Sequence, residues 1–70
     1  MKVYFKNSNG KEMLIGNATN NDEAYGIIKK FCSERDFTIY YTRQWVDSDN
    51  LKRTWYDVGS YTEFFIIEED

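Results

Sequence analysis

From Met1 to Asn7 apolar and polar positions alternate, with Val3 and Phe5 set against Lys2, Tyr4 and Lys6. That is the period of a half-buried strand. Asn9-Gly10 follows. The pair suits a type I′ hairpin turn, whose two central residues both need positive φ. Lys11–Gly16 returns with Met13 and Ile15 on one side and Leu14 on the other. Residues 1–16 therefore read as a β-hairpin.

The pattern then changes period. Asn17–Asn21 is polar and offers Thr19, Asn20 or Asn21 as an N-cap, with Asp22 and Glu23 placed to meet the positive end of a helix dipole. Ala24, Ile27, Ile28 and Phe31 recur on one helical face, which predicts a helix over about residues 21–34. Lys29, Lys30 and Arg35 fall toward its C-terminal end, where positive charge suits the dipole. Gly26 costs about 1 kcal/mol relative to alanine there, and is expected to mark a close approach of helix to sheet. Cys32 reads as a small buried hydrophobe on this helix.

Beyond the helix the period returns to two, and residues 36–67 read as a three-stranded meander. Phe37–Val46 sets Phe37, Ile39, Tyr41 and Trp45 against Thr38, Tyr40, Thr42 and Gln44. Asp47–Asn50 turns, Leu51–Val58 returns, Gly59-Ser60 turns again, and Tyr61–Ile67 forms the last strand. Glu68-Glu69-Asp70 reads as a solvated, frayed acidic tail.

The expectation is an α+β domain spanning residues 1–70: an antiparallel sheet of four to five strands, in order ββαβββ, with one helix on one face. A helix of this length is ~21 Å long and covers one sheet face, not two. A solvated second face should alternate cleanly to polar residues. Here Phe64-Phe65-Ile66-Ile67 is apolar on both faces, and the neighbours Trp55 and Tyr56, like Tyr40 and Tyr41, point to opposite sides. Two readings follow. Either a twisted sheet covers part of its own back, or the far face is a contact surface, for another protein or a second copy of the chain. The candidate contact residues are Tyr40, Trp45, Trp55, Tyr56 and Glu63. Arg43 or Arg53 on a neighbouring strand is the expected partner of Glu63.

Composition narrows the chemistry. The 70 residues are 41% hydrophobic and 19% aromatic, which suits a globular chain of one domain. There is no histidine and a single cysteine, so His-based acid–base chemistry, an intrachain disulfide and a Cys-rich metal site are excluded. No nucleotide-binding glycine loop or nucleophile elbow occurs. Asp47-Ser48-Asp49-Asn50 resembles half of a calcium loop but lacks its glycine and distal glutamate, so it reads as a turn. No catalytic residue, cofactor, metal or small-molecule substrate is assigned, and the chain is read as a non-enzyme. The net charge is −3 and it is unevenly spread. Residues 1–35 carry six basic and four acidic side chains, residues 36–70 three basic and eight acidic. That balance disfavours duplex nucleic acid. Stacking of single-stranded nucleic acid on Tyr41, Trp45, Trp55 and Tyr56 stays as an alternative. No run approaches the ~18 apolar residues of a membrane span, and no signal-peptide core is seen, so a cytoplasmic address is expected.

The stretch Thr54-Trp55-Tyr56-Asp57-Val58-Gly59-Ser60-Tyr61-Thr62-Glu63-Phe64-Phe65 resembles the C-terminal part of small proteins of phages, prophages and conjugative elements in low-GC Gram-positive bacteria. The resemblance implies a protein made in the cytoplasm of a bacterial host and assigns no catalytic residue. The combined expectation is a small protein-interaction module of a mobile element, an accessory protein or host-factor inhibitor. It would bind through an aromatic sheet face; a domain that homodimerises is the other alternative.

Overall fold

In the computed structural model, which describes residues 1–70, the chain opens with two paired strands, β1 (Lys2–Lys6) and β2 (Glu12–Asn17). Their connection differs from a type I′ turn. Gly10 alone has positive φ (83°), and the Gly10 N–H donates to the Asn7 carbonyl at 2.9 Å, making a three-residue loop that ends in a left-handed glycine. The cause is Asn7, whose Oδ1 accepts from the backbone N–H of both Asn9 and Lys11 at 3.0 Å. Those bonds hold the turn so that Asn9 keeps a negative φ.

Helix α1 (Asn21–Glu34) is capped by Asn20, whose side chain accepts from Glu23 N–H at 2.9 Å. Glu23 in turn accepts from the Thr19 N–H and hydroxyl, both at 2.8 Å, a displaced form of the reciprocal capping box. Those bonds hold the Glu23 carboxyl below its usual range. The last turn contains no basic residue; Arg35 is the C-cap and lays its guanidinium over the Phe31 ring. Ala24, Ile28, Phe31 and Cys32 are buried, while Ile27 sits at the margin of the core. Burial pushes the Cys32 thiol up, away from its reactive form.

Gly26 does not touch the sheet: a Cβ there would meet nothing within 4 Å. The close approach belongs to Gly16 on β2, where a Cβ would come 3.0 Å from Ile27 Cδ1. It is the strand, not the helix, that gives up a side chain at this crossing.

After α1, Asp36 adopts φ 52° and Phe37 N–H bonds back to the Cys32 carbonyl at 2.8 Å. Residues 37–42, expected as strand, form an irregular connection. Phe37 is drawn inward against the rings of Phe5 and Phe65, and Tyr40 N–H donates to the Val58 carbonyl at 3.0 Å, so this segment follows the core instead of a ladder. Three strands complete the sheet: β3 (Arg43–Val46), β4 (Arg53–Asp57) and β5 (Phe64–Glu68). Leu51 and Tyr61, expected inside strands, stand in turns and are exposed, and the ladder into β5 begins only after the Gly59–Glu63 loop. The C-terminal acidic residues are not frayed. Glu68 belongs to β5, Glu69 N–H donates to the Lys52 carbonyl at 2.8 Å, and the Asp70 carboxylate lies 3.1 Å from the Met1 nitrogen.

The fold is α+β, with element order ββαβββ and a single five-stranded antiparallel sheet of spatial order β2-β1-β5-β4-β3. The β1–β2 hairpin and the β3–β4–β5 meander thus meet at a central β1–β5 seam. The helix-side core is built from Val3, Ile28, Phe65 and Ile67, closed by Phe31 on Phe5 and Phe65 and by Tyr25 on Tyr56. Each large buried side chain contributes about 1.5–3 kcal/mol of transfer free energy. The helix reaches β3 through the Tyr25 hydroxyl, which donates to Gln44 Oε1 at 3.3 Å, and all four β3 residues are exposed.

Candidate functional site

The registers place one residue of each strand in a single line across the face away from α1. Leu14 on β2 pairs with Tyr4, Tyr4 with Ile66, Ile66 with Trp55, and Trp55 with Trp45 on β3. At the usual strand spacing this line of apolar side chains is about 19 Å long. It closes in the middle and opens at its ends. Ile66 is fully buried and Tyr4 and Trp55 are half-buried, whereas Leu14 and Trp45 are 50% and 40% exposed. The sheet therefore covers its own back at the centre and presents rings at the β3 end.

At that end the Trp45 and Trp55 rings lie nearly parallel, 6.1 Å apart at 11°, and Phe64 meets both edge-on, at 6.2 and 5.3 Å. The Trp55 indole N–H donates to Asp47 Oδ2 at 3.1 Å and fixes the ring. That bond, with a second from Asp49 N–H, lowers the Asp47 carboxyl below its ordinary range. The ring of Trp45 is in turn covered by Arg43, whose guanidinium carbon lies 5.3 Å from its centroid and 6.0 Å from that of Tyr41.

Rows of alternating charge flank the apolar line. On one side Lys2 pairs with Glu68, and Glu68 with Arg53. On the other, Glu12 pairs with Lys6 and Arg43 with Asp57. The ions are joined to one another: Arg53 bonds Glu12 and lies 3.5 Å from Glu68, Lys6 lies 3.5 Å from Glu12, and Arg43 is 3.0 Å from the buried Asp57 carboxylate. Lys6 also stands over the Trp55 ring at 5.4 Å, and Arg53 over Tyr4 at 5.8 Å.

The residues singled out in the sequence separate into three places. Trp45 and Trp55 come together on the uncovered face. Tyr40 and Glu63 line an open groove of about 800 Å³ between residues 36–41 and 59–63, continuous with the face through Tyr41. Tyr56 is 7% exposed and packs under α1 against Tyr25, so it is core and not a contact residue. Its neighbour Trp55 takes the outer face, because the strand alternates and the helix claims the other side. Glu63 pairs with neither Arg43 nor Arg53; it accepts from the Ser60 hydroxyl at 3.3 Å. Arg43 and Phe64, which are not among the candidate contact residues of the sequence, complete the cluster. Sequence signals for them existed in the four-residue apolar run and in the arginine two residues before a tryptophan, but only the register joins them.

The stretch Thr54–Phe65 is built around its own turn. Asp57 Oδ1 accepts from Gly59 N–H at 2.9 Å while Oδ2 holds Arg43, Gly59 has φ 95°, Ser60 bonds Glu63, and Phe64 and Phe65 enter opposite faces of the sheet. No protein-family model, curated protein or solved structure matches the chain. No helix is long and apolar enough to cross a membrane. What the site offers is rings and mutually paired ions, whose chemistry is the burial of apolar area inside a polar rim.

Proposed function

We propose that the protein is a binding module that recognises another protein through the β3 end of its uncovered sheet face. One observation carries this reading: the apolar line across the strands opens at Trp45, beside Trp55, Phe64 and Arg43, inside a rim of ions already paired with each other. Tryptophan and arginine at the centre of a patch are the residue types that dominate protein interfaces. The matching partner presents an apolar ridge bordered by charges of both signs. Stacking of single-stranded nucleic acid is the weaker reading. Lys6, Arg43 and Arg53 hold carboxylates where phosphate would have to compete, and the two indoles stack on each other instead of standing apart to admit a base. The resemblance carried by Thr54–Phe65 supports a setting in a phage, prophage or conjugative element of a bacterium, with the role of accessory protein or host-factor inhibitor.

The test compares wild-type protein, Trp45→Ala and the helix-surface control Lys30→Ala as immobilised baits in lysate of a low-GC Gram-positive bacterium, followed by titration of any purified retained protein. A partner lost tenfold or more with Trp45→Ala and kept with Lys30→Ala supports the reading, in line with hot-spot truncations of roughly 2 kcal/mol. Retention that ignores Trp45, or quenching of tryptophan fluorescence by a single-stranded oligonucleotide instead, refutes it.

A further inference from the structure

The uncovered face ends at an edge, and the edge carries its own information. Asp47 N–H donates to the Arg53 carbonyl at 2.8 Å. In an antiparallel ladder the main-chain groups of alternate residues point to opposite sides. Arg43 and Trp45 therefore turn theirs toward β4, as Asp47 does, while the N–H and C=O of Gln44 and Val46 point outward. No strand lies beyond β3, and all four of its residues are exposed. The opposite edge is protected differently: the β1–β2 register is broken by an irregularity at Val3/Tyr4, which bends β2. The β3–β4 register runs without a break. An unpaired edge in unbroken register is a template for another strand.

The sequence of this edge is complementary to itself. When two copies of β3 run antiparallel with Trp45 opposite Trp45, Gln44 meets Val46 of the other copy in both directions. The outward amides and carbonyls then exchange four main-chain hydrogen bonds. In the same register Arg43 stands opposite Asp47, twice. These two pairs and the Trp45 pair fall at non-hydrogen-bonded positions, where side chains approach most closely. Shifting one copy by two residues puts Gln44 opposite Gln44 or Val46 opposite Val46, and both shifts lose the Arg43–Asp47 pairs. Arg43 is free to take a second carboxylate, since only one of its terminal nitrogens is held by Asp57 and its side chain is 63% exposed.

We infer that β3 is a self-recognition edge, and that two copies of this chain join through it into one ten-stranded sheet. The contact is isologous and closes on itself, leaving the bent β2 strands as the outer edges. The two apolar lines become one continuous line with the paired Trp45 rings at its centre. The interface is small, so the association is weak, in the micromolar-to-millimolar range. This inference concerns the edge and stands apart from binding by the face: a dimer without a partner and a monomer with one are separate results.

Sedimentation velocity over that concentration range tests it, with amide hydrogen exchange followed by NMR. The mass should rise from 8.4 kDa toward twice that value, with Gln44 and Val46 amides gaining protection as concentration rises. Val46→Pro removes an outward N–H that β4 does not use and should keep the circular dichroism of the fold while remaining monomeric. Arg43→Glu and Asp47→Lys should each weaken self-association at least tenfold, and an equimolar mixture of the two should recover it. A monomer at every concentration overturns the inference. So does a dimer whose protected amides lie on β2, or one that Val46→Pro leaves intact.

Discussion

The backbone of Gly59 lies directly against Tyr40: a Cβ on Gly59 would come 2.8 Å from the Cβ of Tyr40 and 3.2 Å from the Tyr41 ring. Gly59 also has φ 95°, a conformation that side chains resist. Gly59→Ala therefore meets two costs and should lose about 2 kcal/mol or more of stability. Urea denaturation measures it, with a lower midpoint at an unchanged slope. Because Tyr40 is held here through its N–H to Val58, the same change should loosen the 37–42 connection first, visible as faster exchange of the Tyr40 amide.

Gly26 and Gly16 should respond to alanine with opposite signs. Gly26 is exposed in mid-helix with open space about it, so Gly26→Ala gains up to about 1 kcal/mol of helix propensity. Gly16→Ala drives a methyl into Ile27 and should destabilise by roughly 1 kcal/mol or more, since the contact partner is a β-branched side chain at the margin of the core. Paired thermal melts decide between this assignment and the reverse.

Much of the architecture could be read from local pattern. Asn20 was among the cap candidates, the Ala24–Phe31 spacing located the helix, and the alternation of Val3 and Phe5 located the first strand. Local pattern failed where a distant residue decides. Residues 37–42 are rich in Thr, Ile and Tyr and look like a strand, yet the left-handed Asp36 and the approach to Gly59 carry them off the ladder. Parity showed that Trp55 and Tyr56 oppose each other. Which of the two lies inside depends on where Tyr25 of the helix lands, and that contact makes Tyr56 core where the sequence pattern offers it as a contact residue. The line from Leu14 to Trp45 was invisible, because it exists only after four registers are set, one of them shifted by an irregularity.

Asp47 supplies a pH signature. Its carboxyl is held low chiefly by the Trp55 indole N–H, so its folded pKa lies below its unfolded one. The stability this bond contributes is present above the unfolded value and is lost as pH falls through the folded one. Tryptophan emission followed into the acid range should show a step below the ordinary aspartate pKa of ~3.9. Asp47→Asn should abolish the step while leaving the emission at neutral pH near that of wild type. A titration at the ordinary value would break the assigned hydrogen bond.

Cys32 should act as a clock for opening of the core. It is 2% exposed, and burial raises its pKa. A thiol reagent at neutral pH should label it only through unfolding, with a rate that rises with urea in step with the equilibrium transition. Gly26→Ala should slow that labelling and Gly59→Ala should hasten it. Labelling at the speed of a free thiol in native buffer would show that the helix does not cover Cys32.

The placement of β1 beside β5 has a consequence for how the molecule is made. Each outer hairpin can assemble from neighbouring residues as it leaves the ribosome, but no strand pairing joins them until β5 has emerged, and from the helix Tyr25 reaches Tyr56 and Gln44 of the second. During that interval the inner rims of β1 and β4 are both bare, and Ile66 has not yet filled the gap between Tyr4 and Trp55. A nascent chain stalled before Phe64 is two half-sheets and a helix without a keel, the species a chaperone or protease would meet first.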